Sequence, residues 1–182
     1  MIYGERIRLR AIEREDVPRF VGWLNDPEVR QHLILRLPLS MTEEEAWFVS
    51  MQQRPPEEHP FTIEIKTPTG WRAIGNIGLT NINWYDRSAE VGIFIGEKQY
   101  WNQGYGREAM QLMLRHAFNT LNLNRVGLHV YETNQRGIRS YEHVGFVHEG
   151  RLRQGRYQDG KYVDVLLMSI LRSEWQDAET AK

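Results

Sequence analysis

Arg6 to Ile12, RIRLRAI, alternates apolar and charged residues, the period-2 pattern of a half-buried strand. Val17, Phe20, Val21 and Leu24 then fall on one face of a helix, which Asn25-Asp26-Pro27 interrupts, because proline disfavours helix in the residue before it. Thr42 and Glu45 form a capping-box spacing ahead of a helix carrying Trp47, Phe48 and Met51, closed by Arg54-Pro55-Pro56. Three strands follow: Phe61 to Lys66, Trp71 to Ile82 and Ala89 to Ile95. Thr67-Pro68-Thr69-Gly70 and Asn83 to Arg87 join them, and connectors this short predict an antiparallel meander.

The order then changes. Met110, Met113, Leu114, Ala117 and Leu121 repeat at helical spacing and predict a helix from about Gly104 to Leu121. VGLHVYE reads as a strand, and Asn134 to Val144 as a short helix with Gly145 in the C-cap position. Phe146 opens a further strand, and Asp159-Gly160 is a hairpin signal before KYVDVLLMSIL. The pattern predicts a mixed α/β chain with about seven strands.

Length and composition narrow what such a chain does. Its 182 residues suit one domain over 1–182, and 41% apolar residues supply a core. A formal net charge of -1 disfavours a nucleic-acid-binding role. The absence of cysteine removes disulfides, thiolate metal sites and a cysteine nucleophile, and fits a cytoplasmic protein. MIYGERIRLR lacks the apolar run of a signal peptide, and no stretch approaches the roughly 20 apolar residues of a membrane helix. The six histidines show no metal-ligand spacing, so no metal is expected.

Gly104-Tyr105-Gly106, at the start of the long helix, is the first motif with chemical content. Glycine lets a backbone approach a phosphate, and a helix N-terminus offers unpaired N–H groups and the positive end of a dipole. The spacing G-x-G-x-x-A also fits a dinucleotide fingerprint, with Glu132 ending the next strand as a ribose-binding acid. Against that, Gly96 to Gln103 separates strand from glycines, the turn follows a meander, and little chain remains for a second nucleotide-binding half. A phosphate loop of the Walker type is excluded by the lack of glycine-lysine-serine/threonine.

A second cluster, Asn134 with Tyr141 and Gly145-Phe146, spells N-x-x-x-x-x-x-Y-x-x-x-G-F. Together with Gly104-Tyr105-Gly106 it resembles the GNAT superfamily of N-acetyltransferases, over essentially the whole chain. LRAIEREDVPRFVGWLNDPEV resembles the branch that holds ribosomal-protein N-terminal and spermidine acetyltransferases. The resemblance implies a single GNAT-like domain with a central mixed sheet flanked by helices and two splayed parallel strands at the cofactor cleft. It implies acetyl-CoA as cosubstrate and an amine acceptor, a small molecule or a peptide. Gln103, Gly104, Tyr105, Gly106 and Arg107 would cradle the diphosphate; Trp101 stands where the family pattern has Gln or Arg. The backbone of Ile93, Phe94 and Ile95 would pair with the pantetheine arm, and Asn134 would touch it, besides serving as a helix cap. Gly92 and Gly96 are unusual inside a strand and signal a bulge or a close approach. Tyr141 would donate to the departing thiolate.

A lysine-like amine with a pKa near 10.4 is neutral roughly once in 2,500 molecules at pH 7, so deprotonation costs about 4.6 kcal/mol, against about 1 kcal/mol for an α-amine near 7.7. Glu90, on the strand face shared by Gly92 and Phe94, is the candidate base, with His129 and Glu132 behind it. Leu33 to Pro60 and Asn83 to Arg87 would wall the acceptor site. Glu43, Glu44, Glu45, Glu57 and Glu58 suit a polyamine or a solvated face, and Trp84 and Tyr85 an entry or plain surface. The favoured acceptor is a protein or peptide N-terminus, then a polyamine; the alternative function is a catalytically silent coenzyme-A-binding module. VLLMSIL and Trp175 suit either a homodimer contact or a buried central strand.

Overall fold

The computed structural model describes residues 1–35 and 37–175. One eight-stranded sheet runs in the order β1-β2-β3-β4-β5-β6-β8-β7, where β1 is Ile2–Tyr3, β2 Ile7–Ala11, β3 Phe61–Thr67, β4 Gly70–Asn83, β5 Ser88–Ile95, β6 Arg125–Tyr131, β7 Val147–Gln158 and β8 Lys161–Leu171. The seven strands expected from the sequence are present. The eighth, β1, has two residues, too few for an alternation to be visible.

β2 to β5 form the antiparallel meander, and β5 with β6 is the parallel pair. Asp159 and Gly160 both have positive φ, 48° and 80°, as the tight β7–β8 turn requires. Helices α1 (Val17–Asn25) and α3 (Met41–Gln52) cover one face, with a four-residue α2 (Pro27–Arg30) between them; α4 (Tyr105–Arg115) and α5 (Gln135–Val144) cover the other. The expected long helix runs on from α4 through a π-helical turn, His116–Thr120, whose Ala117 and Phe118 are fully buried.

Each helix start has a local cause. Asp26 ends α1, and its carboxylate accepts from the Glu28 amide at the start of α2. The capping box of α3 belongs to Ser40 and Glu43, with Glu43 N donating to Ser40 Oγ at 3.1 Å and Ser40 N to Glu43 Oε2 at 2.7 Å. This corrects the Thr42–Glu45 assignment. Both pairs have the S/T-x-x-E spacing, and Glu45 is instead ion-paired with Arg14. Gly145 has φ 109° and ends α5 as expected.

Two buried clusters result. The larger lies between the sheet and α4/α5 and includes Ile63, Ile74, Ile77, Met110, Met113 and Phe118. The smaller holds Phe20, Trp23, Phe48 and Met51 under α1 and α3. Gly96 belongs to this second packing: a Cβ there would lie 2.1 Å from Trp23 Cδ2, so a close approach by α1 requires this glycine. β8 pairs with neighbours on both sides and Trp175 packs 5.3 Å from Phe118, so VLLMSIL forms an interior strand of the sheet. Among the described residues, no helix is long and apolar enough to cross a membrane.

Candidate active site

The site begins where a sheet opens. β5 and β6 pair only at Ser88↔Arg125, Ala89↔Val126 and Glu90↔Gly127. Beyond that, β5 stays with β4 as far as Gly75↔Ile95, and β6 stays with β8 as far as Tyr131↔Val165. The two strands therefore diverge, each held by its outer neighbour. A one-residue bulge in β4 between Thr80 and Asn83, with Asn81 at φ 52°, marks the place where β5 parts company.

Gly96 N donates to Ile74 O at 2.8 Å, which fixes the hydrogen-bonding phase of the β4–β5 ladder. By the alternation of an antiparallel ladder, the N–H and C=O groups of Ile93 and Ile95 point into the gap, while those of Phe94 point to β4. The Phe94 side chain packs on Phe20 and Trp23. Of the three backbone contacts expected from the sequence, the geometry leaves the groups of Ile93 and the N–H of Ile95 open to a ligand and turns Phe94 away. The Ile95 carbonyl already accepts from Trp101 Nε1 at 2.8 Å.

A cavity of about 910 Å³ occupies the gap and reaches both faces of the sheet. Its walls include Glu90, Gly92, Ile93, Phe94, Ile95, Gly104, Tyr105, Gly106, Arg107, Asn134 and Tyr141, eleven positions from three segments of the chain. Gln103 is not among its lining residues; its side chain donates to the Gln99 carbonyl and its own carbonyl accepts from Arg6.

At the start of α4, Gly104 has φ 84°, a left-handed conformation that suits glycine. The first helical acceptor there is Gly104 O, reached by Glu108 N. Among the described residues, the N–H groups of Gly104, Tyr105, Gly106 and Arg107 have no acceptor, nor does the buried Arg107 Nε. A Cβ on Gly106 would meet only Ile95 Cγ1, at 3.7 Å, so the protein itself leaves room there. Four orphan donors at the positive end of a dipole, plus an unsatisfied guanidinium nitrogen, fit a diphosphate.

Arg136 is a cavity residue that the sequence did not single out. Its guanidinium lies 3.8 Å from the centroid of the Trp101 ring, and it has no carboxylate partner among the described residues. Trp101, the departure from the family pattern, thus anchors the Ile95 carbonyl and carries a cation. Asn134 Oδ1 accepts from Gly137 N at 2.9 Å and caps α5.

Tyr141 is half-buried, packs 6.0 Å from Phe146, and turns its ring to the cavity. Burial pushes the phenol up to about 12, with the Arg136 charge opposing the rise. The group is therefore protonated near neutral pH, and its hydroxyl has no hydrogen bond among the described residues.

Glu90 lines the same cavity, 43% exposed in its side chain, and its Oε2 lies 3.8 Å from His129 Nδ1 on the diverging strand. Asn81 Nδ2 donates to it at 3.4 Å. Glu132 is turned away: it accepts from Asp164 N at 2.9 Å beside Arg151 and does not line the cavity. Gly92 has open space where a Cβ would stand, so its missing side chain enlarges the cavity floor beside Glu90. Trp84 and Tyr85 are 51% and 96% exposed and lie outside the cavity.

Comparison with known proteins agrees with this geometry. Residues 6–147 match the model of the acetyltransferase (GNAT) domain. The chain is 31% identical over 172 residues to the spermidine N(1)-acetyltransferase of Vibrio cholerae, covering 94% of this chain and 96% of that one. A crystal structure of spermidine N-acetyltransferase from Vibrio cholerae, in complex with CoA and spermine, superposes with a TM-score of 0.85 at 30% identity, over 94% of this chain and 98% of the other. The alpha/beta-tubulin-N-acetyltransferase 9 of Mus musculus is 24% identical over 157 residues, 80% of this chain and 64% of that protein. The chain belongs to the GNAT acetyltransferase family and is an acetyl-CoA-dependent acyltransferase.

Proposed function

We propose that this protein moves the acetyl group of acetyl-CoA directly to a primary amine within a ternary complex, as a single catalytic domain over 1–182. The observation that carries the reading is the Tyr141 ring at the gap between β5 and β6, its hydroxyl unbonded, in the same cavity as the orphan N–H groups of α4. In this reading Gly104, Tyr105, Gly106 and Arg107 hold the diphosphate, and Arg136 on Trp101 adds charge where the family pattern has a Gln or Arg side chain. Ile93 and Ile95 offer backbone groups to the pantetheine arm, and Asn134 lines the same cavity.

Glu90 takes the proton from the ammonium, directly or through water, with His129 beside it. The neutral nitrogen attacks the acetyl carbonyl, a C–N bond forms, and the C–S bond breaks. Tyr141 hydrogen-bonds the sulfur as negative charge collects on it. With its own pKa near 12 the phenol is a poor full proton donor to a thiolate near 8.5, so stabilisation by hydrogen bonding is the larger part of its work. A neighbouring Arg136 eases whatever transfer does occur.

The acceptor is an α-amine of a peptide or protein in preference to a polyamine. The five glutamates that suited a polyamine are mostly committed elsewhere. Glu43 caps α3, Glu45 pairs with Arg14, Glu44 is buried and pushed up to about 7, and only Glu58 lines the cavity.

The test is free-thiol release from acetyl-CoA across a panel of amines that includes short peptides and spermidine. The reading expects release that depends on added amine. Stable binding of acetyl-CoA with no release for any amine would instead support the silent coenzyme-A-binding module.

A further inference from the structure

One wall of the cavity carries a cation that has no partner among the described residues. α3 ends at Gln52, and the chain then folds into a tight loop from Arg54 to Pro60. Three contacts fix that loop: His59 Nε2 lies 2.9 Å from the Arg54 carbonyl, Glu58 Oε1 accepts from Ile82 N at 3.3 Å, and Pro60 sits where a Cβ on Gly78 would come within 2.7 Å of it. Gly78 and Ile82 bracket Thr80, which pairs with Glu90 in the next strand. The loop is therefore held against the sheet beside the candidate base.

Arg54, Glu58, Pro60, Trp47, Gly78 and Glu90 share the cavity wall. Arg54 is half-buried, and among the described residues its guanidinium has no ion pair, hydrogen bond or ring contact. Five arginines away from the cavity are matched to carboxylates: Arg8 and Arg10 to Glu64, Arg14 to Glu45, Arg125 to Glu149, Arg151 to Asp164. A planar guanidinium is suited to a carboxylate, which it grips with two parallel hydrogen bonds. The same cation repels the ammonium groups of a polyamine, and Glu58 is the one nearby carboxylate of the loop facing the cavity.

Resting on the acetyl-transfer reading above, we propose that Arg54 is a specificity residue that binds a carboxylate of the acceptor, so that the preferred substrate is an α-amine with a carboxylate a few atoms away. That carboxylate comes either from an acidic side chain near a peptide N-terminus or from the free C-terminus of an amino acid or very short peptide. Glu90 and Arg54 then recognise opposite charges at the two ends of one small zwitterion. The arrangement fixes which nitrogen faces the acetyl group.

Thiol release separates these sources with matched pairs. Ser-Asp-Ala amide against Ser-Asn-Ala amide reads the side chain, Ser-Ala acid against Ser-Ala amide reads the C-terminus, and spermidine is the carboxylate-free reference. The native enzyme is expected to favour the carboxylate member of one pair by about tenfold or more in kcat/KM, chiefly through KM, as befits a hydrogen bond to a charged group. Arg54→Ala should erase that preference and Arg54→Lys retain part of it, with melting temperature and acetyl-CoA KM as controls for folding. Equal rates within both pairs, a preference untouched by Arg54→Ala, or spermidine as the best substrate would overturn the assignment while leaving acetyl transfer intact. No release with any amine would sink the acetyl-transfer reading itself, and this assignment with it.

Discussion

Replacing Tyr141 by phenylalanine should lower kcat by roughly 10²–10³ while the KM for acetyl-CoA stays within about twofold, a range typical of losing one positioned proton donor. The substitution deletes one oxygen and leaves the ring. The packing on Phe146 and the wall of the cavity survive, so the folded state should lose little stability. What disappears is a cavity hydroxyl that has no hydrogen-bond partner among the described residues. The effect should also depend on the leaving group. A thioester whose thiol is more acidic needs less help, so the ratio of native to variant rates should shrink as the thiol pKa falls. Single-turnover thiol release with acyl donors of differing thiol acidity checks this. A variant that keeps full turnover would remove Tyr141 from the mechanism.

Glu90→Gln should show a loss that pH repairs. The amide keeps the size and the contact to Asn81 but cannot take a proton. For a lysine-like amine the variant must wait for the neutral form, about one molecule in 2,500 at pH 7, so kcat/KM should fall by about 10²-fold or more there. Each unit of pH then raises the neutral fraction tenfold until the amine pKa is reached, so the variant should climb towards native rates near pH 10. For an α-amine with pKa near 7.7 the loss should be several-fold and gone by pH 9. A deficit that is the same at pH 7 and pH 9.5 would mean that Glu90 orients the acceptor rather than deprotonating it. His129, 3.8 Å from the Glu90 carboxylate, should then be tested as the base in the same way.

How much of this was visible in the chain alone follows from the range over which each signal acts. The meander, the crossover strand and the last hairpin are written locally: period-2 apolar runs, short connectors, Asp159-Gly160. The glycine turn and the Asn134–Tyr141 spacing are local too, and both segments line the cavity. Gly92 and Gly96 look alike in sequence, yet one leaves room in the cavity and the other admits the Trp23 ring, 73 positions earlier. Only a tertiary contact distinguishes them. The Arg136–Trp101 stack joins residues 35 apart on different elements, and the sequence offered no more than an arginine two places after Asn134. Arg54 was equally hidden: its guanidinium has no partner among the described residues, and its sequence neighbours, prolines and glutamates, do not reveal this. The glutamate run shows the converse. It reads as an anionic patch, and folding assigns its members to a cap, an ion pair, a buried site and a cavity wall.

The choice of Trp101 over Gln or Arg has a physical reading in these terms. Its indole N–H closes the Ile95 carbonyl, and its face supports a guanidinium supplied by another segment. A positive charge thereby stands on the Trp101 ring, supplied by α5. The same Arg136 lies close enough to Tyr141 to oppose the rise in its pKa, so one side chain links the two ends of the cavity.

The most direct measurement is a crystal structure of the protein with coenzyme A bound. The account predicts the diphosphate on the amides of Gly104 to Arg107, the pantetheine arm alongside Ile93 and Ile95 between the diverging strands, and the sulfur within hydrogen-bonding reach of the Tyr141 hydroxyl. Density for the sulfur on the far side of β5 from Tyr141, or a diphosphate seated away from the start of α4, would contradict it.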